Sequence, residues 1–377
     1  MEHRKPQSRR PRIFLGQDYY IADVHRGVLE YARQNEWMLD GHYAYFRELN
    51  PQAEYDGMIV SLFGVDSPLA KYVASRAEAG VPVVNFSPRP EFPYPQVWED
   101  NRAIGEMAAD YLLGCGYRTL VGVGVRPEYH TGALRLDGFF PVCKKAGADV
   151  QLLFMEQPGF RDALAALPPM TGIFCADDMV AIRVMELCHQ IDRAVPEEFG
   201  IIGMGDDELQ VYASYVTLSS VNPDYEQRGY RAAGLLDSLM AGSSAPSEPI
   251  LVPPLGVSAR ESTAELAIPH AGLAKAVSHL RNHFREPITI SDLQGVADLT
   301  RRRLQDLFKT HLGCTPLEEL TRLRLTQAKL LLRSSTQPIA AIAQQCGLVT
   351  AHRLSRLFRQ KEGLSPGEFR RQYGRNQ

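Results

Sequence analysis

Near residue 262 the hydrophobic pattern of this chain changes period, and a fold must satisfy both halves. Before that point short apolar runs alternate with amphipathic stretches. After it the apolar residues recur with a period near 3.6, and no strand pattern returns. Continuous apolar runs of four to eight residues belong to strands and a 3.6 period to helices, so the chain holds two architectures. Candidate strands are 12–16, 57–61, 81–86, 119–123, 172–175, 200–204 and 218–221, with 250–257 as a final one. Candidate helices at 22–35, 68–79, 101–115, 135–146, 160–167, 178–190 and 227–240 lie between them. Strict alternation predicts βαβ units on a parallel sheet, and strands apolar throughout predict helices on both faces. Two such α/β halves hinged together would hold a ligand outside the carboxyl ends of their strands.

Charge divides at the same place. Residues 268–377 hold 18 Lys and Arg against 8 Asp and Glu, a net of +10. The remainder, with 23 basic and 36 acidic residues, carries −13, so the overall −3 averages two unlike parts. Such asymmetry points to a polyanion partner for the basic part, unless that part is only a solvated basic surface. The six cysteines stand singly at 115, 143, 175, 188, 314 and 346, without the C-x-x-C spacing of a metal site. The N-terminal stretch is basic and has no long apolar core, so a secretory signal is not expected. Apolar runs are far too short for a membrane span. A cytoplasmic protein with no cofactor, no metal and no membrane association is therefore expected. The expected organisation is a disordered basic arm at 1–11, an α/β sensor at 12–263, a linker at 264–270 and an all-α domain at 271–375.

The C-terminal pattern is a repeat. A short helix beginning near Ser291, with Ser291 as its cap, a turn at Asp298-Leu299 and a Thr300 cap lead into a helix where Leu304, Leu307 and Phe308 form one stripe. Arg302, Gln305, Asp306 and Lys309 face the other way. Fifty residues later a short helix ends at Gly347, Thr350 caps the next, and Leu354, Leu357 and Phe358 repeat the stripe at the same spacing. His352, Ser355, Arg356 and Arg359 lie opposite. Between them runs a helix started by Pro316, with Leu320, Leu323, Ala328 and Leu331 on one side. Each unit alone would pass for an αα-hairpin. The repetition, the matching caps and the basic outer faces favour two helix-turn-helix units joined by a helix, able to read successive major grooves.

No G-x-S-x-G, P-loop or H-E-x-x-H occurs, so the enzyme classes that those motifs carry are not indicated. Gly122-Val-Gly124-Val-Arg126 follows a strand as a dinucleotide loop would. It lacks the third glycine and a placed acidic partner, and reads as a tight turn.

Residues 273–373 resemble the AraC/XylS family of transcription regulators. The resemblance is carried by Asp292-Leu293, Leu304, Phe308, Gly313, Pro316, Arg324-Leu325, Ala328, Leu331-Leu332, Ile339, Ile342-Ala343, Gly347, Phe358-Arg359, Gly363, Ser365-Pro366 and Phe369-Arg370. Asp298 stands where the family has a turn glycine, and Leu354 where it has a phenylalanine. The resemblance implies that Arg302, Gln305 and Asp306, then Ala351, His352, Ser355 and Arg356, face bases, with Arg303 and Arg359 on phosphates.

The first part is similar to the ligand-binding domain of LacI-type repressors and periplasmic sugar-binding proteins. Val97-Trp-Glu-Asp100-Asn101, Arg135-Leu-Asp-Gly138-Phe139, Ala176-Asp177-Asp178 and Ile202-Gly203-Met-Gly-Asp206-Asp207 carry this likeness. Joining the two halves in one chain resembles the XylR-type xylose regulators. By that resemblance Arg135 would fork onto sugar oxygens and Asp177 accept from hydroxyls, with Asp206 near the position where the family places an aspartate. Asp18, Tyr20 and Asp23 would reach the ligand, and Trp98 would stack on a ring face. Structural alternatives stand beside these: a helix-cap role for Arg135, N-caps for Asp178 and Asp23, a core site for Trp98 and hinge packing for Tyr19 and Tyr20. The expected function is a DNA-binding activator answering a small sugar, such as the pentose D-xylose, as a homodimer on duplex DNA, with RNA polymerase a candidate further partner. The alternatives are a regulator of another sugar or small polar ligand, or a sugar-processing enzyme fused to a DNA-binding module. Asp177-Asp178 and Asp206-Asp207 are its only catalytic-looking cluster.

Overall fold

A computed structural model describes residues 9–127, 130–264, 267–268 and 270–374. Most of the expected arm, residues 1–8, lies outside the described residues, as do 265, 266 and 269 of the expected linker. The chain forms two units, one of residues 1–100 and 224–253, the other of 101–223 and 254–377.

The first unit is built on the parallel sheet order Met38–Asp40, Arg12–Gln17, Gly57–Ser61, Val83–Asn85. A bridge from Asn85 to Gln96 continues it to the paired strands Val97–Glu99 and Ile250–Val252. Both faces are covered, which is why these strands read as unbroken apolar runs. Ile13, Leu15, Ile59 and Val84 face helices Ala22–Gln34 and Tyr225–Met240. Phe14, Met58 and Val60 face helix Pro68–Glu78, whose start is fixed by the Ser67 cap and a proline in the first turn. The two helices on the first face touch backbone to backbone. A Cβ at Gly27 would lie 1.8 Å from the Glu226 carbonyl oxygen, and one at Gly229 2.1 Å from that of Val24.

The second unit repeats this plan. Its sheet runs Gly256–Ser258, Ser219–Asn222, Phe199–Met204, Thr171–Cys175, Thr119–Gly124, Asp149–Phe154, parallel except for the antiparallel Gly256–Ser258. Helices Asn101–Gly114 and His130–Lys145 cover one face and Phe160–Ala165 and Asp178–Gln190 the other. A glycine pair recurs here too. A Cβ at Gly105 would lie 1.8 Å from the Arg135 carbonyl oxygen, and one at Gly138 2.0 Å from that of Arg102.

The all-α part of this unit comprises helices Ala271–His283, Ile290–Ala297, Arg301–Leu312, Pro316–Ser334, Ile339–Gln345, Ala351–Glu362 and Pro366–Tyr373. It has two cores, one around Leu280, Leu304 and Phe308, the other around Ala328, Leu354 and Phe358. The long bridging helix serves both: Leu320 and Leu323 enter the first, Leu325, Ala328, Leu331 and Leu332 the second.

Three expectations are corrected. The final strand at 250–257 is two strands, because Pro253-Pro254 can donate no ladder hydrogen bond, and the chain passes between units there. Gly122 and Gly124 lie inside a strand rather than a turn. A Cβ on Gly122 would meet Leu136 at 2.6 Å, so that glycine serves close helix-on-sheet packing. The linker expected at 264–270 is packed at Ala267 and Ile268: both are buried, and the Ala267 amide donates to Cys115 O at 2.9 Å. The sequence reading also missed the short or edge strands Met38–Asp40, Val97–Glu99 and Asp149–Phe154.

Gly105→Ala and Gly27→Ala must push paired helices apart, because the obstacle is backbone; each should cost about 1–3 kcal/mol or more. Gly295→Ala, in open space on a helix, should instead be neutral or stabilising by up to about 1 kcal/mol. Thermal unfolding of the three variants compares them directly, and equal effects would refute the close-packing argument.

Candidate nucleic-acid interface and effector-binding residues

Thr289 begins the first helix of the first head, not Ser291. The Asp292 amide donates to Thr289 Oγ1 at 3.3 Å, and the Thr289 amide donates to Asp292 Oδ2 at 2.8 Å. These bonds hold the Asp292 carboxyl below its ordinary range, the bond from the Thr289 amide contributing most. Asp298 then adopts φ 53°, the left-handed turn conformation usually given to glycine, which aspartate tolerates. Thr300 caps the recognition helix Arg301–Leu312 by accepting from the Arg303 amide. Leu304 and Phe308 are fully buried and Leu307 nearly so. Arg302, Arg303 and Asp306 are exposed, and Gln305 is half-buried.

The second head repeats the geometry. Gly347 takes φ 71°, and Thr350 accepts from the Arg353 amide to cap Ala351–Glu362. Leu354 and Phe358 are fully buried, and Phe369 packs edge-on against Phe358 with centroids 5.1 Å apart. His352, Arg356 and Arg359 are exposed; Ala351 and Ser355 are half-buried. The heads are tied together by Arg324 of the bridging helix, which donates to Phe284 O at 2.8 Å and Glu286 O at 2.7 Å. Among the described residues no carboxylate forms an ion pair with Arg302, Arg303, Arg356 or Arg359. These guanidinium groups are therefore available to phosphates and base edges.

The residues expected at the ligand fall in both units. In the first unit Asp18 follows the strand Arg12–Gln17. Its carboxylate accepts from the Phe63 amide at 2.9 Å, Ser67 Oγ at 3.1 Å and Tyr43 Oη at 3.4 Å. Tyr20 Oη contacts His25 Nδ1 and Tyr45 Oη, each at 3.2 Å. Burial, then the bond to Tyr45, pushes the Tyr20 hydroxyl up to about 12, so it stays a neutral donor. Asp23 caps nothing. It sits in the first turn of its helix and pairs with Arg26. Trp98 is half-buried on strand Val97–Glu99, beside the buried ion pair of Glu99 with Arg228.

In the second unit Arg135 is only 5% exposed. Its Nε donates to Asn101 Oδ1 at 2.7 Å and its Nη1 to Ala176 O at 2.6 Å. Asp177, rather than Asp178, is the cap of helix Asp178–Gln190, accepting from the Val180 amide at 3.0 Å. Asp178 lies in the first turn, 1% exposed, in space left by Gly203 and Gly205. Asp206 accepts from Arg260 Nη2 at 2.7 Å, Ser258 Oγ at 2.6 Å and Asn222 Nδ2 at 3.0 Å. These donors fix its orientation and fill most of its lone pairs. Sequence reasoning missed Asn101 and Arg260 as partners. Nothing local shows a pairing across 34 or 54 residues. Among the described residues no cluster of three His, Cys, Asp or Glu side chains is suited to a metal ion. No described helix is long and apolar enough to cross a membrane.

Burial pushes the Asp178 carboxyl from 3.8 up to about 7; the charges of Asp206 and Asp177 add to this, against bonds from Ser220 and the Asp206 amide. The folded chain keeps a proton that the unfolded chain releases, so stability from this group is lost as pH rises from about 4 to about 7. Asp178→Asn should flatten the fall in Tm between pH 5 and pH 8, and an unchanged slope would reject this account. At the heads, Arg302→Ala and Arg356→Ala should each weaken specific duplex binding by about 1–3 kcal/mol. Arg303→Ala and Arg359→Ala should weaken all sequences alike and lower the salt slope by about 1. Titrations of cognate and scrambled duplexes at several salt concentrations separate the two patterns. Unchanged affinity and preference in Arg302→Ala and Arg356→Ala would remove the heads from the interface.

Comparison with known proteins agrees with this geometry. Residues 109–263 match the periplasmic binding protein-like domain and residues 295–372 the helix-turn-helix domain. The xylose operon regulatory protein of Haemophilus influenzae is 27% identical over 95% of this chain and 97% of its own length. That of Escherichia coli K12 is 33% identical over 55% of this chain and 53% of its own. The solved structure of the xylose-binding transcription activator XylR covers 97% of this chain and 99% of that chain, at 27% identity and a TM-score of 0.56. A periplasmic binding protein/LacI transcriptional regulator from Alkaliphilus metalliredigens, solved with D-xylulofuranose, shares the fold over 68% of this chain and all of that one, at 20% identity and a TM-score of 0.51. The chain thus carries a periplasmic binding protein-like domain followed by a helix-turn-helix domain, and over nearly its whole length it is similar to xylose operon regulatory proteins.

Proposed function

We propose that this protein is a sugar-responsive, sequence-specific transcription activator, with a pentose such as D-xylose as effector. The observation that carries the reading is the pair of capped helices with unpaired basic outer faces, in one chain with a periplasmic binding protein-like domain. Sugar hydroxyls need fixed acceptors and forked donors, and a ring face needs an aromatic. Arg135, oriented by Asn101, is the forked donor, and Asp177 and Asp18 are the acceptors. Tyr20 donates, and Trp98 offers a face. Asp206 and Asp23, already bonded to Arg260 and Arg26, contribute outer contacts. The protein acts by binding rather than turnover and needs no cofactor. It works in the cytoplasm as a homodimer, and as an activator it meets RNA polymerase on promoter DNA. The similarity to xylose operon regulatory proteins supports the choice of sugar.

Full-chain protein should show a thermal shift with D-xylose that exceeds the shift with hexoses. Its affinity for a promoter duplex should change when the sugar is added, with a steep fall in salt. Arg135→Met should abolish the shift while leaving duplex binding in the absence of sugar intact. A chain that ignores all pentoses, or that converts D-xylose to product, would overturn this reading.

A further inference from the structure

The helix Asn101–Gly114 has a different partner at each end. At its start Asn101 holds the Arg135 guanidinium, and Gly105 lets the Arg135 backbone come into direct contact. Its 14 residues span about 21 Å. At its other end it meets the DNA-binding domain. Arg281 donates from Nη2 to Cys115 Sγ at 3.3 Å, with its guanidinium carbon 5.7 Å from the centre of the Tyr111 ring. A Cβ at Gly114 would lie 3.3 Å from Arg322 Nη2 and 3.8 Å from Arg281 Nη2. Two guanidinium groups thus stand at a helix carboxyl terminus, where aligned peptide dipoles leave about half a negative charge. Arg322 is held in place by a fork onto Glu319, at 2.8 and 2.6 Å, and that glutamate is itself buried.

Two more contacts complete the seam. The Ala267 amide donates to Cys115 O at 2.9 Å, and Gly116, at φ 96°, has Ile268 and Ala267 so close that a Cβ would lie 2.6 Å from Ile268 Cγ1. At the end of the bridging helix Arg333, 2% exposed, donates to the carbonyl oxygen of Pro254, the residue at which the chain enters this unit for the second time.

We propose that Arg281 and Arg322, on the carboxyl end of helix Asn101–Gly114, and Arg333, on Pro254, form a docking seam that carries effector occupancy at Arg135 to the reading heads. The connection is a packed surface, and the helix is its rod. Docking follows from the contacts themselves; transmission rests on the sugar-controlled reading given above. Arg281 and Arg333 are positioning residues, touching neither sugar nor DNA. Coupling between two ligands is reciprocal and is measured as the ratio of duplex affinities with and without sugar.

The test uses the full chain with Arg281→Met, Arg333→Met and the conservative Arg281→Lys. Without any ligand, amide exchange at 112–117 and 267–283 should be at least tenfold faster in Arg281→Met than in the wild type. Unchanged exchange there overturns the docking. With D-xylose as probe and a duplex selected from a random pool by the wild-type chain, the coupling ratio should fall to near one in both Met variants. Their affinity for D-xylose should stay within about twofold of wild type, and Arg281→Lys should recover part of the coupling. A Met variant that keeps the wild-type ratio overturns the transmission. A wild type that binds no D-xylose fails the functional reading instead, and the exchange result still decides the docking.

Discussion

Each unit depends on a contact in which two helices meet through their backbones. Gly27 with Gly229, and Gly105 with Gly138, remove the side chains that would otherwise hold the helices apart. The carbonyl oxygens of Glu226, Val24, Arg135 and Arg102 occupy the space that a methyl group would need. Close approach of this kind is inflexible, because the obstacle is main chain and cannot change rotamer. In the second unit it has a direct chemical result. It sets helix Asn101–Gly114 against helix His130–Lys145 in the one register that lets Asn101 meet Arg135, so a packing constraint orients the most heavily buried cation expected at the effector.

The two heads solve an analogous problem with capping rather than close packing. Thr289, Thr300, Thr315, Thr350 and Ser365 each bond an amide three residues on, and in three of these cases an acidic side chain answers back. Such caps fix where a short helix begins. That matters for recognition helices, whose first residues are the ones aimed at the duplex. The apolar stripes fix rotation about the helix axis and the caps fix position along it. Together they determine which arginines point outward.

Much of this was legible in the sequence, for reasons that can be named. Strands buried on both faces leave apolar runs, so all seven strands first expected lie within two residues of their expected bounds. Recognition helices repeat one stripe and one cap, so their outward residues could be listed from spacing alone. Where one short-range signal could be assigned to either of two neighbours, the assignment failed: Thr289 caps where Ser291 was expected, and Asp177 where Asp178 was. Pairings across long stretches of chain left no trace. Asp206 with Arg260, Arg281 with Cys115 and Arg333 with Pro254 are separated by 54, 166 and 79 positions, and no periodicity records them. The packing of Ser262 and Ala267 was hidden for the same reason, since their partners are Ile201, Ser219 and Cys115.

The chain passes between its two units three times, and this has a consequence for how it is made. The first unit contains the first hundred residues but lacks helix Tyr225–Met240 and strand Ile250–Val252 until residue 253 has been synthesised. At 5–20 residues per second, the nascent chain must carry an exposed half-sheet and the bare Gly27 face of helix Ala22–Gln34 for about ten seconds or more. The helical domain, made after both α/β portions and rich in local contacts, has no such wait. A ribosome therefore exposes the sticky portion of this protein first and completes it only after most of the second α/β layer has emerged, which makes the nascent first unit the part in greatest need of chaperones.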